Sequence, residues 1–140
     1  MSTPTRIYLG SDHAGYPLKE IVKHHLRESG HTVEDLGAHS TERTDYPDHG
    51  AAVARAVAAD PQTRGILVCG SGIGISIAAN KINGARAANV SDSYNAEMAR
   101  RHNDANIVCF GARMIGQDMA LRIVDTFLQT DFEGGRHAQR

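Results

Sequence analysis

The fold is decided by the segment Gly65–Asn80, which reads GILVCGSGIGISIAAN. Its first part, GILVCG, is an unbroken apolar run, which is typical of a strand covered on both faces of a parallel sheet. The glycines Gly70, Gly72 and Gly74 then form a turn, and a short helix is predicted over Ile75–Lys81. The segment is therefore a strand, a glycine loop and a helix.

The rest of the chain repeats this alternation of β-rich runs and amphipathic stretches, which predicts βα units on a parallel sheet. The predicted strands are Arg6–Gly10, His31–Leu36, Gly65–Gly70, Ala85–Val90 and Asn106–Gly111. The predicted helices run from Pro17 to a cap at Gly30, over Asp48–Ala59 and Ile75–Lys81, from a cap near Ser91–Asp92, and over Ile115–Leu128. We expect a three-layer α/β/α sandwich with a five-stranded parallel, Rossmann-like sheet. A single domain over residues 1–140 is expected, because this length is usual for one domain.

Composition excludes several classes of function. The chain is 41% hydrophobic and 22% charged, as globular proteins are. Its 15 basic and 16 acidic side chains give a net charge of -1, so no overall field attracts nucleic acid. No apolar run reaches the ~20 residues of a membrane-spanning helix, and no signal peptide is recognisable. We expect a cytoplasmic protein that binds neither nucleic acid nor membranes.

Three polar or glycine-rich turns follow predicted strands and carry the candidate chemistry: Ser11–Gly15, Cys69–Gly74 and Gly111–Arg113. Because open α/β sheets bind ligands beyond the carboxyl ends of their strands, we expect these turns to meet at one edge. The N–H groups of a glycine loop can hold a phosphate or an oxyanion, although a tight turn without a ligand fits the same glycines. The G-x-G-x-G spacing matches neither the dinucleotide fingerprint nor a Walker loop.

Two kinds of side chain are candidates for reactivity. Cys69 ends a strand directly before the loop, where N–H donors favour the thiolate; an inert core cysteine is the alternative. Cys109 has no such neighbours, which predicts a core position. The eight histidines form no His-x-x-x-His pair, and there is no Cys-x-x-Cys, so no metal site is predicted. In the tail, Arg136 and Arg140 share a face if the chain takes one helical turn and would then suit a phosphate; a solvated tail is the alternative.

Five segments together resemble the type B ribose-5-phosphate isomerases, a family that includes the galactose-6-phosphate isomerase subunits and allose-6-phosphate isomerase. They are SDHAG, ERTDYPD, GILVCGSGIGISIAANK, RRHNDANIVCFGAR and FEGGRHAQR, and they span essentially the whole chain. The resemblance implies an aldose–ketose isomerase of the pentose phosphate pathway that interconverts D-ribose 5-phosphate and D-ribulose 5-phosphate through an enediolate. It also implies that no cofactor is needed, and that a homodimer or a tetramer shares its active sites between subunits.

The same resemblance assigns roles to residues of this chain. Cys69 is the implied base, Ser71 assists proton movement between the sugar oxygens, and His102 with Asp12 opens the sugar ring. Some relatives carry a glutamate where this chain has Ile75, which leaves the thiolate as the base. The residues implied to bind substrate are His13, Tyr46, Gly70, Gly72, Ile73, Gly74, Asn103, Arg113, Arg136 and Arg140.

Two other functions fit the sequence. The same chemistry on a six-carbon sugar, galactose 6-phosphate or allose 6-phosphate, requires only a longer pocket. A non-catalytic module that binds a sugar phosphate or a nucleotide would use the same loop. Cys69, His102 and Asp12 together argue against a pure binder, since binding needs neither a base nor a group that opens a ring.

Overall fold

The computed structural model describes residues 3–140 and confirms the predicted alternation of strands and helices. The strands are β1 (Arg6–Ser11), β2 (Val33–Asp35), β3 (Thr63–Cys69), β4 (Ala87–Asn89) and β5 (Ile107–Gly111). The helices are α1 (Tyr16–Glu28), α2 (Tyr46–Ala58), α3 (Ile73–Asn80), α4 (Ser93–Arg101) and α5 (Gln117–Gln129), followed by a 3-10 turn over Gly135–His137. No helix within this part of the chain is long and apolar enough to cross a membrane.

The five strands form one parallel sheet in the order β2-β1-β3-β5-β4. Ser11 pairs with Val68, and Cys69 pairs with Gly111, so β1, β3 and β5 end at the same edge. From β1 the chain continues to β2 on one side, whereas from β3 it continues to β4 and β5 on the other. The direction of winding therefore reverses between β1 and β3, which is where such sheets bind ligands.

Helices cover both faces of the sheet, as the three-layer prediction requires. Helices α1, α4 and α5 pack on one face, and α2 and α3 pack on the other. Along β3, Ile66 and Val68 face helices α1, α4 and α5, while Leu67 and Cys69 face α2 and α3, because strand side chains alternate. Cys109 is fully buried, and burial raises the pKa of its thiol, which confirms its prediction as a core residue.

The element boundaries differ from the predicted ones where tertiary pairing decides them. The edge strands β2 and β4 have only three residues each, because each pairs with a single neighbour. Helix α2 begins at Tyr46, ahead of the predicted start, with Pro47 in its first turn. Helix α3 begins at Ile73, directly after the loop. Asp92 caps α4 as predicted, and its side chain accepts the Asn95 N–H.

Candidate active site

Cys69 lies at the start of the glycine loop with its sulfur in a defined polar contact. The Gly72 N–H donates to Cys69 Sγ at 3.1 Å, and the thiol is 4% exposed. Gly72 has φ of 83°, and a Cβ there would lie 2.2 Å from Asn89 Oδ1, so only glycine fits this position. The Ile73 N–H donates to Ser71 Oγ at 3.2 Å. An N–H donor aimed at sulfur stabilises negative charge on it, and the amino end of α3 adds a partial positive charge nearby.

Two large side chains lie against this loop. The Tyr46 ring is packed so closely on Gly74 that a Cβ there would lie 2.6 Å from its Cζ. Arg113 lies over Gly70, with Nη1 3.2 Å from the position of a Cβ. The structure therefore brings a phenol and a guanidinium to the loop that follows Cys69.

The turn after β1 lies beside the loop, as predicted. Asp12 is 7% exposed, its N–H donates to the Val68 carbonyl at 3.3 Å, and its Oδ1 accepts the Gly15 N–H at 3.0 Å. The Thr44 N–H donates to Nδ1 of His13 at 3.2 Å. The Thr44 carbonyl lies at the same 3.2 Å from Nδ1, so this nitrogen either accepts from the N–H or donates to the carbonyl. Where it accepts, the proton of the neutral imidazole is on Nε2, which can then donate to an anion.

His49 joins this group through Thr44, whose Oγ1 hydrogen-bonds His49 Nε2 at 2.9 Å. Burial lowers the pKa of His49, and the charges of Asp48 and Asp12 oppose that shift. The imidazole is therefore neutral near pH 7. We call the residues at this edge, from Asp12 to the glycine loop, the thiol half-site.

His102 and Asn103 lie at the opposite edge of the sheet, where the amino ends of the strands are. The His102 N–H donates to the Met98 carbonyl at the end of α4. The Asn103 carbonyl accepts from Arg86 Nε at 3.0 Å and Nη2 at 2.7 Å, and Arg86 directly precedes β4. Strand β5 spans the two edges over Ile107–Gly111, about 13 Å at about 3.3 Å per residue. His102 therefore does not reach Cys69 within one chain.

The C-terminal tail adds two arginines to this second group. The His102 ring stacks on His137 with centroids 4.3 Å apart and 14° between the planes. Burial lowers the pKa of His137, and the neighbouring His102, Arg136 and Arg140 lower it further. Arg140 and Asn103 also line a polar cavity of about 390 Å³. We call this group the imidazole half-site.

His102, Glu133 and His137 place one potential metal-ligand atom each within 4.8 Å of one another. The two imidazoles are stacked, however, and their lone pairs lie in nearly parallel ring planes. Lone pairs in parallel planes do not converge on one ion, whereas tetrahedral zinc requires ligands that do. The group fits ring stacking better than coordination, and the absence of a metal role stays a prediction.

Sequence reasoning missed five side chains of these half-sites. Asn89 packs on Gly72, Thr44 bonds both His13 and His49, Arg86 holds the Asn103 carbonyl, and His137 covers His102. Of these five, His49 is the second missed histidine beside His137. Thr44 lies in ERTDYPD and His137 in GGRHAQR, so proximity to other candidates was a usable signal. Nothing local marks Asn89 or Arg86, because tertiary contacts alone bring them to the site.

The parallel sheet, the loop at its switch point and the clustered arginines define an α/β protein suited to an anionic ligand. The chain belongs to the Ribose/Galactose Isomerase family, whose sequence profile matches residues 7–140. It is 50% identical over 135 residues to ribose-5-phosphate isomerase B of Escherichia coli K12, covering 96% of this chain and 91% of that protein.

Solved structures agree with the family and the fold. Ribose-5-phosphate isomerase B of Clostridium thermocellum superposes with a TM-score of 0.94 at 53% identity, over 96% of this chain and 91% of the other. The Mycoplasma genitalium enzyme, solved with bound ribulose-5-phosphate, gives a TM-score of 0.93 at 41% identity, over 96% and 90% of the two chains.

Proposed function

We propose that this chain is an aldose–ketose isomerase that interconverts D-ribose 5-phosphate and D-ribulose 5-phosphate. The observation that carries the proposal is the Cys69 sulfur held at 3.1 Å by the Gly72 N–H. This contact supports Cys69 as a base that lies beside the donors an enediolate needs. The Escherichia coli relative bears the name of this activity, and the Mycoplasma genitalium relative binds the ketose product.

In this proposal Cys69 acts as the base of the enolisation. The thiolate removes the proton from C2 of the open-chain aldose, and the C2–H electrons form the C1–C2 double bond of an enediolate. The negative charge moves to O1, where N–H groups of the loop stabilise it. Ser71 shifts a proton between O2 and O1, and the thiol returns its proton to C1, which completes the ketose.

The phosphate is held away from the reacting carbons in this account. His13 Nε2 and the Arg113 guanidinium are the donors of the thiol half-site, while Arg136 and Arg140 belong to the imidazole half-site. Forked guanidinium donors suit a phosphate dianion. Binding at the non-reacting end orients the sugar over Cys69.

We propose that two copies of the chain form a homodimer and build each active site together. The support is the separation of the half-sites, because His102 and Cys69 lie at opposite edges of one sheet. Apolar side chains are also exposed around the loop: Tyr46 is 41% exposed, Ile73 56% and Ile77 55%. Burying an isoleucine contributes roughly 1.5–3 kcal/mol, so a second copy that covers this surface gains stability.

In the dimer, ring opening comes from the other copy. His102 of the partner subunit, with Asp12 of this subunit, moves the proton between the ring oxygen and the anomeric hydroxyl. Asn103 of the partner subunit and Tyr46 contact the sugar hydroxyls. The proton transfer by His102 and Asp12 and the sugar contacts of Asn103 and Tyr46 need no metal and no organic cofactor.

A coupled assay on ribose 5-phosphate, allose 6-phosphate and galactose 6-phosphate tests the proposed substrate. We expect the highest kcat/KM with ribose 5-phosphate. A preference for either six-carbon sugar would reassign the substrate, and no turnover of any of the three would contradict the proposal. The pentose phosphate pathway and a cytoplasmic location stay predictions, which deletion phenotypes and cell fractionation would test.

A further inference from the structure

The tail after α5 returns to the carboxyl end of α4. Arg100 Nε donates to the Thr130 carbonyl at 3.1 Å, and the Glu133 N–H donates to the Arg101 carbonyl at 3.1 Å. Gly134 then turns the chain with φ of 70° into the 3-10 turn over Gly135–His137. One side-chain and one backbone hydrogen bond therefore hold the tail against α4, and its last turn faces His102.

The His137 side chain occupies a position that its own hydrogen bonding does not explain. The residue is 8% exposed, yet its Nε2 is without a hydrogen-bond partner within residues 3–140. Glu133 Oε1 lies 3.5 Å from that nitrogen. A buried polar atom without a partner is unfavourable, so a contact of another kind must favour this placement. Besides the Glu133 carboxylate, the ring contacts the His102 imidazole, on which it stacks.

The stack also bears on the orientation of His102. Within the described residues no hydrogen bond reaches the His102 imidazole, and its ring packs on the His137 ring at 4.3 Å and 14°. A side chain free to rotate about its χ2 angle would present its nitrogens in several directions. A flat ring packed on one face restricts that rotation.

We infer that His137 is a positioning residue that fixes the His102 imidazole in the direction needed for proton transfer to the sugar ring. This inference rests on the proposed function, in which His102 opens the ring. His137 itself touches no reacting atom. Its contribution comes through the orientation of its neighbour, and a misplacement of about 1 Å in such a group lowers the rate by about a hundredfold.

The test compares His137→Ala with His137→Phe, because phenylalanine keeps a flat ring without nitrogens. We expect His137→Ala to lower kcat for ribose 5-phosphate by roughly ten- to a hundredfold with KM changed less than about threefold. His137→Phe should stay within about threefold of the wild-type kcat. His24→Ala is the matched control, since the His24 side chain is 77% exposed on α1, and should leave both constants unchanged.

Three other results would each overturn the inference. If His137→Phe loses as much kcat as His137→Ala, stacking is not the role of His137. If alanine raises KM with kcat unchanged, the residue serves phosphate binding through its neighbours Arg136 and Arg140. If His137→Ala keeps the wild-type kcat and KM, His137 has no role in the reaction.

The stack has its own readout, which does not depend on activity. The ring protons of His102 should show a ring-current shift in NMR spectra of the wild type and His137→Phe, and lose it in His137→Ala. Unchanged shifts in His137→Ala would overturn the stack even if no sugar phosphate is turned over. If the wild type turns over none of the three sugar phosphates but shows the ring-current shift of His102, the proposed function is wrong and the stack is not.

Discussion

Replacing Lys19 by methionine should destabilise the chain more than any other single lysine change we can identify. The side chain is fully buried in α1, and its Nζ lies 2.7 Å from both carboxylate oxygens of Asp35. It also donates to the Ala38 carbonyl. The neighbouring Gly37 carbonyl accepts the Ser11 N–H, so this ion pair holds the end of β1 that carries Asp12.

The magnitude follows from what methionine leaves behind. Breaking a buried ion pair by removing one partner costs about 3–5 kcal/mol. Lys23 remains 2.8 Å from Asp35 and is 19% exposed, so part of the carboxylate charge stays compensated and the lower end applies. We expect a loss of about 3 kcal/mol from a total of about 5–15 kcal/mol. At about 2 kcal/mol per molar urea, the unfolding midpoint should fall by about 1.5 M.

Urea unfolding at one fixed protein concentration measures this loss, because the stability of the proposed dimer would depend on concentration. Lys23→Met is the matched control and should cost less than about 1 kcal/mol, since that pair is partly solvated. A loss below about 1 kcal/mol in Lys19→Met, or an equal loss in the control, would refute the reasoning.

The same variant has a pH signature. Burial alone would raise the pKa of Asp35, but hydrogen bonds from Lys19, Lys23 and the Gly37 N–H outweigh it and hold the pKa below its usual value. The stabilisation is therefore present above the unfolded pKa of about 3.9 and is lost as pH falls through the lower folded value. The stability gap between wild type and Lys19→Met should narrow below about pH 4. A gap that stays constant there would contradict the assignment.

The remaining predictions concern the proposed chemistry. Cys69→Ala should lower kcat at least about a hundredfold while Cys109→Ala stays active, and an active Cys69→Ala would remove the thiol from the mechanism. Arg136→Ala and Arg140→Ala should each lower kcat/KM for ribose 5-phosphate by about ten- to a hundredfold but leave the poor turnover of unphosphorylated ribose unchanged; equal losses on both sugars would indicate a structural role. Prolonged treatment with EDTA should leave the rate unchanged, and recovery of activity only on adding Mn²⁺ or Zn²⁺ would contradict a metal-free reaction.

The unit built from β3, the glycine loop and α3 could be predicted because its signals are local. An apolar strand, spaced glycines and a following helix occur within Gly65–Lys81, and parallel topology then places the three turns at one edge. The location of His102 follows from the same logic. A helix after a parallel strand runs back across the sheet, so the end of α4 lies at the amino edge.

Other features depend on contacts that the sequence does not record locally. In the sheet, β5 lies between β3 and β4, and no turn motif in the sequence predicts this order. The ion pair of Lys19 with Asp35 joins a helix to the next strand, and the stack of His137 on His102 joins the tail to α4. Each couples elements through side chains whose patterns by themselves indicate a solvated surface.

The central claim, an active site built from two copies, is tested most directly by mixing Cys69→Ala chains with His102→Ala chains. Each variant alone should be nearly inactive. After subunit exchange in equal amounts, about half of the dimers are mixed, and each mixed dimer contains one site with an intact Cys69 and an intact His102. The mixture should therefore recover about a quarter of the wild-type activity per chain. Mixed dimers shown to form by mass spectrometry of differently tagged chains, yet without recovered activity, would contradict the shared site.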